Sequence, residues 1–67
     1  MTKIREYSVG DMVEHKVYIR SPKLKGIIIK NLGFDKYLND IIYLIHCFSF
    51  KPAKKLKWKH KEIEKIS

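Results

Sequence analysis

From Lys55 to Lys61 the chain reads Lys-Leu-Lys-Trp-Lys-His-Lys. In extended backbone, successive side chains point to opposite sides. Lys55, Lys57, Lys59 and Lys61 would then form a ladder of ammonium groups on one face, with Leu56, Trp58 and His60 on the other. The chemistry open to such an array is the attraction of anions through point charges. Residues Lys51 to Ser67 hold seven lysines and two glutamates, a net +5 of the formal +8 of the whole chain. Lys54 adjoins the ladder, and Arg20, Lys23 and Lys25 around an upstream turn would widen it.

The other reactive side chains form no comparable set. His15, His46, His60 and Cys47 fit no zinc spacing, and His46 and Cys47, as neighbours on a strand, would point apart. Asp11, Glu14, Asp35 and Asp40 are scattered over turns and a polar face rather than paired for acid–base work. The three glycines are isolated, so no glycine-rich phosphate loop exists. No catalytic residue, metal or cofactor is therefore expected, and the chain reads as a binding module rather than an enzyme.

Size and composition bound what can carry the ladder. A chain of 67 residues makes one domain, and a core that small buries only about 60% of the surface exposed on unfolding. Apolar residues make up 45% of the chain, which excludes disorder. The lone Cys47 cannot make an internal disulfide, so the fold does not require an oxidising compartment. The N-terminus has no apolar signal core, and Ile41 to Phe50 is about half the length of a membrane span. These features point to the cytoplasm, or to the inside of whatever particle or cell makes the chain. Thirteen of the fifteen basic residues are Lys, which favours contact with a nucleic-acid backbone over bidentate reading of bases. Lys and Ile are also the residues that AT-rich codons specify, so part of the charge excess can reflect base composition.

The pattern of elements is all-β. Met1 to Glu6 is polar and expected to be loose. Gly10-Asp11 is a turn signal leading into a half-buried strand, with Val13, His15, Val17 and Ile19 inward and Glu14, Lys16 and Tyr18 outward. Arg20 to Lys23 turns at Pro22. Lys25 to Lys30 is a second strand, in which three consecutive isoleucines favour the pleated state and Gly26 marks a bulge or a close approach. Asn31 to Asp40 reads as a loop bearing Phe34, Tyr37 and Leu38. Ile41 to Phe50 is a central strand, apolar on both faces, with Phe48 and Phe50 assigned to the core. A turn at Pro52 leads to the ladder strand, and Ile63 and Ile66 fit a single 3-10 turn followed by a short closing strand. The competing reading, one helix over Lys54 to Ser67, leaves Trp58 off its apolar side.

Three pieces, Val9-Gly10-Asp11-Met12-Val13, Gly26-Ile27-Ile28-Ile29, and Trp58 with Glu62-Ile63-Glu64-Lys65-Ile66, span nearly the whole chain. Their order resembles that of small SH3-like barrels of the KOW type, and of short bacteriophage barrel proteins in particular. The resemblance implies a barrel of four to five antiparallel strands with a 3-10 turn near the C-terminus. It also implies partners drawn from RNA, DNA or protein surfaces, and a host cytoplasm or virion as the location if the chain is phage-encoded. The chain departs from the KOW pattern in lacking a glycine-dense first turn and in its apolar segment at Leu32 to Leu38. It lacks the acidic loop and paired aromatics of proline-binding domains.

Two functions remain open from sequence. In the first, the basic face holds a nucleic-acid backbone through Lys54, Lys55, Lys57, Lys59, Lys61, Arg20, Lys23 and Lys25, with Tyr18 available for stacking. In the second, an apolar patch of Phe34, Tyr37, Leu38 and Tyr43 or a sheet edge meets a host or virion protein of acidic surface, or a second copy of the chain. Neither involves a membrane.

Overall fold

The computed structural model describes residues 5–16 and 23–66. It is all-β, with five antiparallel strands and one 3-10 turn. β1 is Met12–His15, β2 Lys25–Asp35, β3 Asp40–Cys47, β4 Lys54–Lys59 and β5 Ile63–Lys65, and the turn, His60–Glu62, joins β4 to β5. The Val17-Ile19 part of the expected first strand, and most of the Arg20 to Lys23 turn, lie outside the described residues. Among those described, no helix is long and apolar enough to cross a membrane.

The strands form one sheet in the order β4-β3-β2-β1-β5. β4 and β5 are thus its two edges, about 19 Å apart if the sheet were flat. Three residues of 3-10 turn advance the chain only about 6 Å. The sheet must therefore roll until its edges meet at this turn, and the short linker makes the rolling a consequence of chain connectivity. Asp40, itself buried, pins the closure: its Oδ2 accepts the Lys61 N–H at 2.8 Å and its Oδ1 the Ile41 N–H at 2.8 Å.

β2 is the long strand that bends. Its first half pairs with β1 through Met12 with Ile27 and Val13 with Gly26, and its whole length pairs with β3. The β2–β3 register slips between Ile28 and Lys30 and again between Asn31 and Gly33. Bulges of this kind increase local twist and curvature. Gly33 at the second slip has φ +88°, and its N–H is held by the Asn31 side chain at 2.8 Å. The residues 31 to 35, read from sequence as loop, are therefore strand. The true loop is the four-residue turn 36–39, where Asp35 Oδ1 accepts the Tyr37 and Leu38 N–H groups.

Inside the roll lie Val13, Ile28, Ile41, Tyr43, Ile45, Cys47, Trp58 and Ile63, a core to which all five strands contribute. Trp58 stands opposite Tyr43 and Leu56 opposite Ile45 on the inward side of β3 and β4. The expectation of an inward indole and a buried thiol at Cys47 holds. The expected strand Ile41 to Phe50 ends instead at Cys47, and Phe48 is 41% exposed rather than core, because the chain turns away after Cys47.

Candidate anion-binding face and groove

Backbone pairing sets the outward face of β4. Lys55, Lys57 and Lys59 stand opposite His46, Leu44 and Ile42 of β3. Those three in turn stand opposite Ile27, Lys30 and Gly33 of β2. The outer surface of the three strands is thus three rows deep, namely Ile27–His46–Lys55, Lys30–Leu44–Lys57 and Gly33–Ile42–Lys59. Alternation puts Lys25 on the same side as Ile27.

The ladder expected from sequence is built for Lys55, Lys57 and Lys59. Lys61 does not continue it: the strand ends at Lys59, and Lys61 sits exposed at the middle of the 3-10 turn. His60 likewise leaves the strand, and its ring stacks on Tyr7 at 4.7 Å while its Nδ1 lies 3.0 Å from the Tyr43 hydroxyl. Lys54 falls in the inward-pointing register opposite Cys47, but at the strand end it is exposed and lies over the Phe50 ring at 4.9 Å. Tyr18 and Arg20 lie outside the described residues.

The carboxylates are distributed differently. Asp11 is 3.6 Å from Lys65, Glu14 is 3.7 Å from Lys23, and Glu62 is 3.8 Å from His15. Glu6 holds Asn31, Asp35 holds the hairpin turn, and Asp40 holds the closure. These acids are consumed by local structure or by cations on the β1–β5 side. Among the described residues, no ion pair reaches Lys25, Lys30, Lys55, Lys57, Lys59 or Lys61. Lys23, engaged with Glu14, belongs to the neutralised side. The β2–β3–β4 surface keeps an excess of positive charge, with Asp35 and Glu62 at one end of it, and such an excess attracts anions.

At one end this surface opens into a groove of about 550 Å³. Leu32, Phe34 and Leu38 from the β2–β3 hairpin line one side, Ile42 forms part of the wall, and Lys57 and Lys59 line the other side. Asp35 and Glu62 also border it. Phe34 is 61% exposed and Leu38 51%. Two residues from each of the sets that the sequence assigns to different functions, Lys57 and Lys59 from one and Phe34 and Leu38 from the other, therefore line a single groove. Tyr37, at 87% exposure, projects from the adjacent turn with the Lys36 ammonium 5.5 Å from its ring centroid. Tyr43 does not belong to this surface. It is fully buried, since its alternation places it on the core side of β3. Burial is also the main reason its hydroxyl pKa is raised above 10.0, against the lowering effect of the Tyr7 N–H bonded to it.

Sequence reasoning missed Lys30 and His46 as members of the basic face. Both required the β2–β3 register, and the bulge at Ile29 breaks the alternation that would otherwise have placed Lys30. Among the described residues, no three His, Cys, Asp or Glu side chains gather as a metal site. Comparison with protein-family models, with curated proteins and with solved structures finds no match to this chain.

Proposed function

We propose that this protein is a non-enzymatic cytoplasmic binding module that holds a nucleic-acid backbone on its β2–β3–β4 face, with little sequence preference. The observation that carries this reading is the segregation of charge. Among the described residues, Lys55, Lys57, Lys59, Lys30 and Lys25 share one face without an ion pair to a carboxylate, whereas Lys23 and Lys65 are neutralised elsewhere. Lysines without a bidentate arginine fork suit phosphate contact through counterion release rather than base reading. The rolled five-stranded sheet with its 3-10 turn before the last strand is the architecture expected from the resemblance to small SH3-like barrels, a scaffold that supports but does not specify this role.

The test is anisotropy of a labelled oligonucleotide across a salt series. About four phosphate contacts give a log–log slope near −3 to −4. Lys57→Glu with Lys59→Glu abolishes binding while the thermal melt stays in place. Absence of binding at low salt, or affinity indifferent to salt, rejects the reading.

A second reading is favoured by the exposed Phe34, Tyr37 and Leu38: a phage-type accessory or structural protein that docks on an acidic host or virion protein. Pull-down from a lysate with and without nuclease separates the two. Capture that survives nuclease and depends on Phe34 and Leu38 supports the second.

A further inference from the structure

We infer that the groove between the β2–β3 hairpin and β4 is a base-binding slot, so that the nucleic acid held on the lysine face is single-stranded. This rests on the backbone-binding reading above and adds to it the form of the ligand. The groove has two chemically distinct sides. Lys57 and Lys59 supply cations on one, and Phe34, Leu32 and Leu38 supply exposed apolar surface on the other. A ligand that fills it must carry an anion and an apolar, stackable group on the same short unit. A nucleotide of a single strand does so, whereas a duplex keeps its bases stacked inside and presents sugar and phosphate outward.

The remaining border residues orient that ligand. Asp35 and Glu62 hold their charges at the groove, fixed by the Tyr37 and Leu38 N–H groups in one case and by the Lys59 N–H in the other. Glu62 lies beside Lys59, so phosphate is drawn chiefly to the Lys57 end of β4 and away from the two carboxylates, which leaves the base to enter toward Phe34. Alternate lysines on β4 stand about 7 Å apart, a separation comparable to that of successive phosphates in an extended strand. The backbone then tracks along β4 while one base drops into the groove. An added peptide strand is the disfavoured occupant, because β4 is an edge whose lysines obstruct edge pairing.

The experiment compares a labelled oligo-dT single strand with a duplex of equal length at one fixed salt concentration, for the wild type, Phe34→Ala and Phe34→Trp. Circular dichroism confirms that each variant folds, as the exposure of Phe34 leads one to expect. The slot predicts tighter binding of the single strand. It predicts that Phe34→Ala weakens single-strand binding about five- to hundred-fold, the range for loss of one base–aromatic stack. Duplex binding changes less than about twofold in the same variant, and Phe34→Trp keeps single-strand affinity. Equal binding of both forms, with no effect of Phe34→Ala, overturns the slot and leaves the backbone reading intact. Binding of neither form overturns both. Saturable binding of an acidic, aromatic-containing peptide, lost in Phe34→Ala and coupled with no oligonucleotide binding, also overturns the slot and assigns the groove to a protein partner.

Discussion

Trp58 and Tyr43 face each other across the β3–β4 ladder, and both are buried. This pair fixes the phase of β4. With the indole committed inward, Lys57 and Lys59 on either side have no choice but to point outward, since side chains alternate along a strand. The basic face is thus a by-product of core packing, and the two can be separated by mutation. Trp58→Ala removes the largest side chain in the core and should cost about 3–5 kcal/mol, most of the stability of a domain this small. Lys57→Ala should change stability by less than about 0.5 kcal/mol. An alanine scan of Leu56 to Lys59 followed by urea unfolding should alternate, with losses at Leu56 and Trp58 and near-neutral values at Lys57. A flat profile would mean that β4 is not in this register.

The long β2 makes a second stability prediction. A Cβ built on Gly26 would run into Ile45 Cγ2 and lie 2.7 Å from the His46 carbonyl oxygen. The β3 backbone cannot withdraw without breaking the ladder, so Gly26→Ala should destabilise by about 1–3 kcal/mol through overpacking. Gly33 differs in kind. Nothing lies within 4 Å of its added Cβ, but its φ is +88°, so Gly33→Ala should cost about 1–2 kcal/mol from backbone strain alone. Relief separates the causes: in an Ile45→Ala background, which lacks Cγ2, part of the loss in Gly26→Ala should be recovered and none of that in Gly33→Ala. Equal recovery in both would refute the steric account.

These two glycines also show where the sequence was legible and where it was not. Gly26 in front of three isoleucines marks a bulge or a close approach, and the structure shows the close approach, with the register slips further along β2. Asn31 and Gly33 carried the same composition as a turn and were read as one, yet they build the bulge that lets β2 run on to Asp35. Local propensity cannot tell a turn from a bulge here, since a glycine at positive φ and an Asn side chain that bonds the nearby backbone serve either one. The alternation of Lys55 to Lys59 survived folding because one heavy anchor, Trp58, set its phase. Lys61 did not, because Asp40, twenty-one residues earlier, captures its N–H and ends the strand. The groove was invisible for the same reason: Phe34 and Lys57 meet only once β3 lies between their strands.

Under the proposed function, the unequal neutralisation of the lysines predicts unequal effects on oligonucleotide binding. Lys57 has no ion pair among the described residues, whereas Lys23 sits 3.7 Å from Glu14. Lys57→Ala should lower the magnitude of the salt slope by about 1, the signature of one lost phosphate contact. Lys23→Ala should leave the slope where it is, since a cation already offset by a carboxylate releases little counterion. Salt titrations of the two variants against the wild type settle the point. An equal drop for both would show that the basic surface wraps around to β1 and is not confined to the β2–β3–β4 face.

The buried hydroxyl of Tyr43 gives a pH prediction with a definite sign. It accepts the Tyr7 N–H at 3.0 Å and lies 3.0 Å from His60 Nδ1, so its own proton has a partner when that nitrogen is unprotonated. Burial, with the smaller contributions of Glu6, Tyr7 and Asp40, raises its pKa above 10.0 despite the bond from Tyr7. A raised folded pKa means that the unfolded chain releases the phenolic proton first. The stability associated with Tyr43 is therefore intact below pH 10 and is lost as pH climbs through the raised folded value. Urea midpoints should fall above pH 10, with Tyr43 ionising at higher pH in the folded protein than in the unfolded chain. Tyr43→Phe should cost about 1–3 kcal/mol at neutral pH, because the Tyr7 N–H and His60 lose their partner, and should flatten the alkaline decline. A wild-type decline no steeper than that of Tyr43→Phe would show that the phenol ionises freely in the folded state, against its place in the core.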